Sequence, residues 1–383
     1  MSDDAPEPHP GVSSPANDRD ATAIWDRRYE GDEHVGTRPV IEGDPVDYTQ
    51  HKFLYQRAVA RPQTGALDGY NLDRVGRRFL TPPPARMLAL GSGMAFTEEH
   101  LLRHGYAGHI TAYEMSRSAV ERARERFAAA GLGDRIELRS ADVLHEDLPS
   151  GAFDAVFVQA AIHHFNRIED MFALMHRVLR PGGLLIYDEY VGPDYHMYHA
   201  EAMAIMDEIN ACLAAGYRWD HLAAQTREVT PRPSLEWMLS HDPSEGVHAS
   251  RILPLTYQWF EVLDRVDYGG TIMRPFFTGI LPNFDWTDPK DQTVASLVVL
   301  IEQLLTRHGI LPHYHTSVVA RRRDAPRAPL TEAESARIAY ADWPGPREPA
   351  RAATGSATFE EAPSAESGSG GRLRRLLLGS RHR

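Results

Sequence analysis

Cysteine is nearly absent, with Cys212 the single one among 383 residues. No intrachain disulfide can form, and such a chain suits a reducing compartment, so a cytoplasmic location is expected. Cys212 lies in a helical apolar stretch and is expected to be a core residue. No run of about 18 apolar residues occurs, so no transmembrane helix is expected. The opening Met1-Ser2-Asp3-Asp4-Ala5-Pro6 is acidic and carries proline, unlike a signal peptide. Basic charge is also short. Lys+Arg number 41 against 53 Asp+Glu, a formal net charge of −12. A general nucleic-acid binder would show a basic footprint, so no nucleic-acid partner is expected. Neither a Gly-x-Ser-x-Gly nor a Walker-type motif is present, which leaves hydrolase and nucleotide-triphosphatase chemistry without an anchor. His163-His164 and the acids near them in sequence form no recognisable metal-ligand spacing, so no metal is expected.

What is present centres on Met87-Leu88-Ala89-Leu90-Gly91-Ser92-Gly93-Met94-Ala95. The apolar run predicts a buried parallel strand. Gly91 and Gly93 allow a sharp turn and a close approach of backbone to a ligand. Phe96 to His104 predicts a helix, with Thr97, Glu98 and Glu99 at its start, where the helix dipole favours acids. Strand, glycine turn and helix form the first unit of a doubly wound nucleotide-binding sheet. A dinucleotide fingerprint needs a small third residue where this chain has Phe96, which disfavours NAD or FAD.

The following segments continue the pattern. His109 to Met115 predicts a second strand with Glu114 at its carboxyl end, about 20 residues past Gly93, where an acid can accept from both ribose hydroxyls. Arg135 to Ser140 is a third strand, followed by Ala141-Asp142-Val143, whose Asp can accept from an adenine amino group. Phe153 to Val158 is a fourth, ending in Gln159. Arg180-Pro181-Gly182-Gly183 is a turn before a fifth, Leu184 to Tyr187. Helices are expected over Ser118–Ala130 and Glu169–Leu179.

In their order and spacing, Leu90-Gly91-Ser92-Gly93, Glu114, Ser140-Ala141-Asp142, Phe153-Asp154-Ala155-Val156, Ile162-His163-His164-Phe165 and Leu179-Arg180-Pro181-Gly182-Gly183 resemble the core of the class I S-adenosylmethionine-dependent methyltransferases. The resemblance covers about Arg86 to Pro193. It implies an α/β, doubly wound, seven-stranded Rossmann-like sheet with helical insertions. It also implies S-adenosylmethionine laid across Gly91, Ser92 and Gly93, with Glu114 on the ribose, Asp142-Val143 beside the adenine, and Met115 among the cofactor-binding residues. Two departures stand out. Ala89 replaces an acid common in the family, and Ala95 a third glycine. Glu98, Glu99 or Gln159 is then left to accept from the methionine ammonium. The run Asp188 to Pro193, with Asp242-Pro243-Ser244-Glu245 and Tyr268-Gly269-Gly270, is similar to a bacterial subgroup acting on small molecules. Their acceptors are sugars, glycoconjugates or secondary metabolites.

The expected organisation is a disordered N-terminus over 1–22, a cap segment over 23–84, the cofactor-binding core over 85–193, and an acceptor-side insertion with the last strands of the same domain over 194–323. A disordered tail is expected over 324–383. Within the cap, Tyr48 to Ala60 can be helical, with Tyr48, His51 and Tyr55 on one face packing on the core. Tyr195 to Tyr217 predicts one long helix, and Val294 to Leu305 another. Phe260 to Leu263 and Thr316 to Ala320 are the sixth and seventh strands, separated by an excursion from Gly269 to His315. The basic, apolar Arg372-Leu373-Arg374-Arg375-Leu376-Leu377-Leu378 can make weak contact with a membrane or a partner protein. The sequence does not set an oligomeric state.

Methyl transfer from a sulfonium is an in-line displacement, so the protein must chiefly align nucleophile, methyl carbon and sulfur. A hydroxyl acceptor also needs a base. Ligands of open α/β sheets lie beyond the carboxyl ends of the strands. His163 and His164 after the fourth strand, and Asp188 and Glu189 after the fifth, are the catalytic candidates there, and strand alternation lets only one of the two acids point easily into the site. The expected function is methyl transfer to a hydroxyl or amine of a small polar, sugar-containing acceptor. The alternatives are a non-catalytic S-adenosylmethionine-binding partner subunit and an NAD-type oxidoreductase.

Overall fold

The computed structural model describes residues 47–340, together with Ala23 and Asp26. All seven expected strands form: β1 Arg86–Leu90, β2 His109–Glu114, β3 Ile136–Ser140, β4 Phe153–Gln159, β5 Leu179–Tyr190, β6 Phe260–Asp267 and β7 His315–Arg322. They make one sheet in the order β3-β2-β1-β4-β5-β7-β6. The first five are parallel, and β7 runs antiparallel to both β5 and β6. The sheet reverses direction of winding between β1 and β4, which opens the crevice where ligands bind in such folds.

Strand alternation assigns the two faces. Leu88, Val156, Leu185 and Val318 enter one apolar cluster, while Met87, Ala89, Phe157, Ile186 and Val319 enter another on the opposite side. Both faces are therefore covered, which explains why β1 and β4 read as continuous apolar runs. Of the helices, α1 (Asn71–Phe79), α2 (Phe96–Arg103) and α3 (Arg117–Ala129) cover the second face through Leu72, Val75, Leu101, Val120 and Phe127. The first face is covered by α4 (Ile168–Val178) through Met171, Phe172 and Met175. Ser116 caps α3, its hydroxyl accepting from the Ala119 N–H at 3.2 Å.

A third apolar cluster is independent of the sheet faces. Tyr48, Leu54 and Val59 meet Met203 and Met206 of α5 (Ala200–Cys212), Phe276 and Phe277, and Val298 and Val299 of α7 (Pro289–Arg307). Cap segment and insertion, far apart in sequence, thus share one core. Tyr48 and Leu54 are fully buried there. Between them in the chain, α6 (Ile252–Trp259) packs on the first sheet face with Ile252, Leu253 and Leu255.

Four expectations need correction. The single helix from Tyr195 to Tyr217 is broken, because Tyr195 and His196 take left-handed φ values of 53° and 56°. The regular helix begins only at Ala200, and a separate short turn covers Ala215–Arg218. Cys212 is exposed rather than in the core, since it ends α5 on its outer side. The tail expected from 324 carries a helix, α8 (Glu332–Tyr340), tied to the sheet by Arg265 Nη2 donating to the Ile338 carbonyl at 3.0 Å. Its polar composition resembles a tail, but Ile338 packs against the first core. The fifth strand runs on to Tyr190, so Asp188 and Glu189 belong to it and their side chains diverge. The segments 1–22 and Arg372 to Leu378 lie outside the described residues. No helix among the described residues is long and apolar enough to cross a membrane.

Candidate functional site: two cavities that meet at Ala160

The glycine turn after β1 is held by its own backbone. Gly91 and Ser92 N–H both donate to the Tyr113 carbonyl, at 2.9 and 3.2 Å. Gly91 has φ 61°, and a Cβ there would stand 2.5 Å from the Ala161 Cβ. The turn and the loop after β4 therefore approach too closely for any side chain at that position. Gly93 has φ 51°, and its N–H donates to Glu114 Oε2 at 2.8 Å. The other carboxylate oxygen of Glu114 accepts from the Ser116 N–H at 2.9 Å. Burial raises the Glu114 carboxyl above its usual range, while those backbone donors pull it back. Glu114 thus locks the glycine turn to the end of β2, and each oxygen keeps a lone pair for a further donor.

An outer cleft of about 190 Å3 opens beside this turn, lined among others by Gly91, Gly93, Glu114, Met115, Asp142 and Val143. Asp142 caps the short turn Val143–His145 by accepting from the Leu144 N–H at 2.9 Å. Six of the eight expected cofactor residues therefore share one cleft. Ser92 is not among its lining residues, and its buried hydroxyl has no hydrogen-bond partner among the described residues. Gln159 lies in the next cavity instead. From the N-terminal segment, Asp26 reaches the turn after β2 and accepts from the Ser116 hydroxyl at 2.6 Å.

An inner cavity of about 290 Å3 lies between the carboxyl ends of β4 and β5 and the cap-insertion layer. Ala160 lines both cavities and holds a left-handed φ of 48°, its N–H donating to the Asp188 carbonyl at 2.8 Å. Asp188 and Glu189 diverge as β-strand neighbours must. The Asp188 carboxylate accepts from Gln63 Nε2 at 2.8 Å, Asn71 Nδ2 at 3.3 Å and the Tyr268 hydroxyl. Burial pushes its pKa up to about 6, against the hydrogen bonds from Tyr268 and Gln63. Asp188 therefore ties cap, core and excursion together at one carboxylate.

Glu189 turns the other way. Its Oε1 accepts from the Ala161 N–H and from the Ile162 N–H, the latter at 2.6 Å, and its Oε2 pairs with His163 Nδ1 at 2.6 Å. Burial lowers the His163 pKa, but the adjacent Glu189 carboxylate outweighs it and holds His163 above its ordinary value. His164, beside it on the short turn Ile162–His164, is lowered by burial and by the neighbouring His163.

Glu245 stands between these histidines, brought there by the insertion. His163 Nε2 is 3.8 Å from Glu245 Oε1, His164 Nε2 is 3.7 Å from Oε2, and His196 Nε2 bonds Oε1 at 2.7 Å. Arg274 Nη2 approaches Oε1 to 3.7 Å. Burial would raise the Glu245 carboxyl, but His196, the histidine pair and Arg274 hold it well below the usual range. The structure brings together residues that their sequence spacing did not: His163, His164 and Glu245 place one ligand atom each within 4.8 Å of the others. Local spacing could not reveal it, since the carboxylate arrives from a distant segment. Asp242-Pro243-Ser244-Glu245 and Tyr268-Gly269-Gly270 were visible as distinctive runs, but not what they would touch.

Of the candidate acceptors for a methionine ammonium, Gln159 lies beside Ala160. Glu99 is taken by Arg103 and Arg126, at 2.6 and 2.7 Å. Glu98 is buried, lines neither cavity, and burial pushes its pKa up to about 7.

Residues 88–187 match a family model described as a methyltransferase domain. Those residues cover most of β1 through β5 of the seven-stranded Rossmann-like sheet. Among curated relatives, it is 27% identical over 161 residues to 24-methylenesterol C-methyltransferase 2 of Oryza sativa subsp. japonica, covering 41% of this chain and 44% of that one. It is 26% identical over 190 residues to 27-O-demethylrifamycin SV methyltransferase of Amycolatopsis mediterranei, covering 46% and 68%. The chain spans about half the length of the curated relatives it matches. Among solved structures it is similar to geranyl diphosphate C-methyltransferase of Streptomyces coelicolor A3(2), with TM-score 0.43, 13% identity, and coverage of 81% of this chain and 100% of that one.

Proposed function

We propose that this protein transfers the methyl group of S-adenosylmethionine to a hydroxyl or amine of a small polar, sugar-containing acceptor held in the inner cavity. The observation that carries this is the shared wall at Ala160. An adenosine in the outer cleft, with its ribose at Glu114 and its adenine beside Asp142 and Val143, directs its sulfonium toward Ala160, where the inner cavity begins. Gln159, on the wall of the inner cavity beside Ala160, takes the methionine ammonium in this reading, in the role left open by Ala89.

The inner cavity suits a polar acceptor. Polar side chains of Gln63, Asn71, Arg274 and His315 line its walls, and water is displaced when it fills. Displacement needs the acceptor atom, methyl carbon and sulfur in line, and such positioning is worth roughly 7–11 kcal/mol. Asp188 and Glu189 are positioning residues: the first holds Gln63, Asn71 and Tyr268, the second the turn that carries His163. The acceptor hydroxyl docks at the cluster of His163, His164 and Glu245, and its proton passes from there to solvent water. An amine acceptor docks unprotonated and needs no such step.

The test uses methyl-labelled S-adenosylmethionine, the full chain and a size-fractionated extract of the native host. Label in a small polar fraction is the expected result. Label only in protein overturns the acceptor class. Cofactor binding with no label in any fraction points instead to the non-catalytic partner subunit.

A further inference from the structure

We propose that His163, His164 and Glu245 bind one divalent transition-metal cation of the zinc class at the junction of the two cavities. The inference rests on the methyl-transfer reading for its purpose but not for its geometry. The Nε2 atoms of His163 and His164 face Glu245 Oε1 and Oε2 at 3.8 and 3.7 Å. Those separations are too long for hydrogen bonds. His196 shows what a bonded pair looks like here, with Nε2 2.7 Å from the same carboxylate. Two ligand atoms about 2.0–2.2 Å from one tetrahedral ion stand roughly 3.4 Å apart, and the three ligand atoms here lie within 4.8 Å of one another, so the set draws together by up to about 1.4 Å to close on an ion.

The surroundings of each ligand support this assignment. His163 Nδ1 is held by Glu189 Oε2 at 2.6 Å. His164 Nδ1 faces the Ser244 hydroxyl at 3.2 Å, and that hydroxyl donates to Asp242 Oδ1 at 2.7 Å. With a metal bound, both rings would keep a proton on Nδ1 and turn Nε2 toward the ion beside Glu245. Metal-binding histidines are oriented by this kind of carboxylate or hydroxyl partner. His196, donating to Glu245 Oε1, holds the third ligand in the same way. Glu189, Asp242 and Glu245 offset the charge of the cation together with that of Arg274.

Position gives the ion a task. His163 lines the inner cavity and His164 the outer cleft, so an ion between them faces both cofactor and acceptor. Two histidines and one carboxylate leave a coordination position open, as in catalytic rather than structural sites. An acceptor hydroxyl bound there loses its proton to solvent near neutral pH, because coordination lowers its pKa. Its oxygen then bonds the methyl carbon, the carbon–sulfur bond breaks, and the electron pair stays on the thioether sulfur.

Among the described residues one other group, Asp73, His100 and His104, brings three such ligand atoms together. There His100 Nε2 already bonds Asp73 Oδ1 at 2.8 Å, and His104 Nδ1 is taken by the His100 carbonyl at 2.9 Å. That group provides the control.

The experiment strips the full chain with a chelator, dialyses it against Zn2+ or Co2+, and measures bound metal by mass spectrometry and the Co2+ visible absorption. Binding of S-adenosylhomocysteine is measured by calorimetry on the same samples. About one metal per chain is expected, bound at least about tenfold more weakly in Glu245→Gln and His164→Ala and unchanged in His104→Ala. Glu245→Asp replaces Glu245→Gln if circular dichroism shows that variant unfolded. Fewer than about 0.1 equivalents with no Co2+ band in the parent overturns the metal site, as does a loss that follows His104→Ala. Metal bound without S-adenosylhomocysteine binding overturns the methyl-transfer reading and leaves the metal site standing.

Discussion

Glu98 illustrates how one side chain can be dictated by placement rather than by sequence pattern. It sits in the first turn of α2, where an acid favours the helix dipole, yet it is 2% exposed. Burial outweighs the dipole, the Thr97 hydroxyl and Arg126, and lifts its pKa to about 7. A carboxyl whose folded pKa is raised contributes stability that is fully present below the unfolded value and is lost as pH rises through the folded one. The shift from 4.5 to about 7 corresponds to roughly 3 kcal/mol lost between those values. Glu98→Gln should therefore raise the unfolding free energy measured with urea at pH 8 by an amount of that order, and the gain should vanish below about pH 4.5. Equal unfolding free energies at pH 8 would show that Glu98 is not held neutral by its surroundings.

At the scale of elements, the excursion between β6 and β7 is more ordered than its glycines suggest. The turn at Gly269 and Gly270 has φ values of 82° and 84°. Glu302 of α7, fully buried, accepts from the N–H groups of Gly270 at 2.9 Å, Ile272 at 2.5 Å and Met273 at 2.9 Å. That carboxylate caps the segment that delivers Arg274 to the inner cavity. A Cβ at Gly270 would stand 1.9 Å from His315 Nδ1. Gly270→Ala should thus cost roughly 2–4 kcal/mol, from left-handed backbone strain and displacement of a buried ring. Chemical denaturation measures it, and a loss under about 0.5 kcal/mol would mean that the turn relaxes freely.

On the scale of the molecule, the cap-insertion layer and the sheet are joined at few charged points. Asp264 of β6 is 5% exposed and accepts from Arg74 at 2.6 Å and Arg78 at 2.8 Å, both on α1. On the same helix Asn71 donates to Ser317 at 2.7 Å and reaches Asp188. Removing one partner of a buried ion pair costs about 3–5 kcal/mol, less where a partner is exposed, as Arg78 is. Asp264→Ala should lower stability by roughly 2–3 kcal/mol and speed proteolysis between residues 61 and 70, where the cap leads into α1. Unchanged digestion there would show that the shared apolar core alone seats the cap.

The sequence by itself determined the sheet and the outer cleft. Strand periodicity, the glycine turn and the acids at strand ends act over a few residues, so Gly91, Gly93, Glu114, Asp142 and Val143 were legible before any coordinates. Ser92 was not, because a residue between two left-handed glycines can face either way, and here the two bonds to the Tyr113 carbonyl set its direction. The broken helix at Tyr195 and His196 was hidden because apolar spacing continued across the break. The tertiary structure alone decided the inner site. Asp188 met Gln63, Asn71 and Tyr268, and the histidine pair met Glu245, only when the insertion and cap closed over the strand ends on one apolar core. Long-range contacts of that kind leave no local period, since each partner satisfies its own segment's pattern equally well without the other.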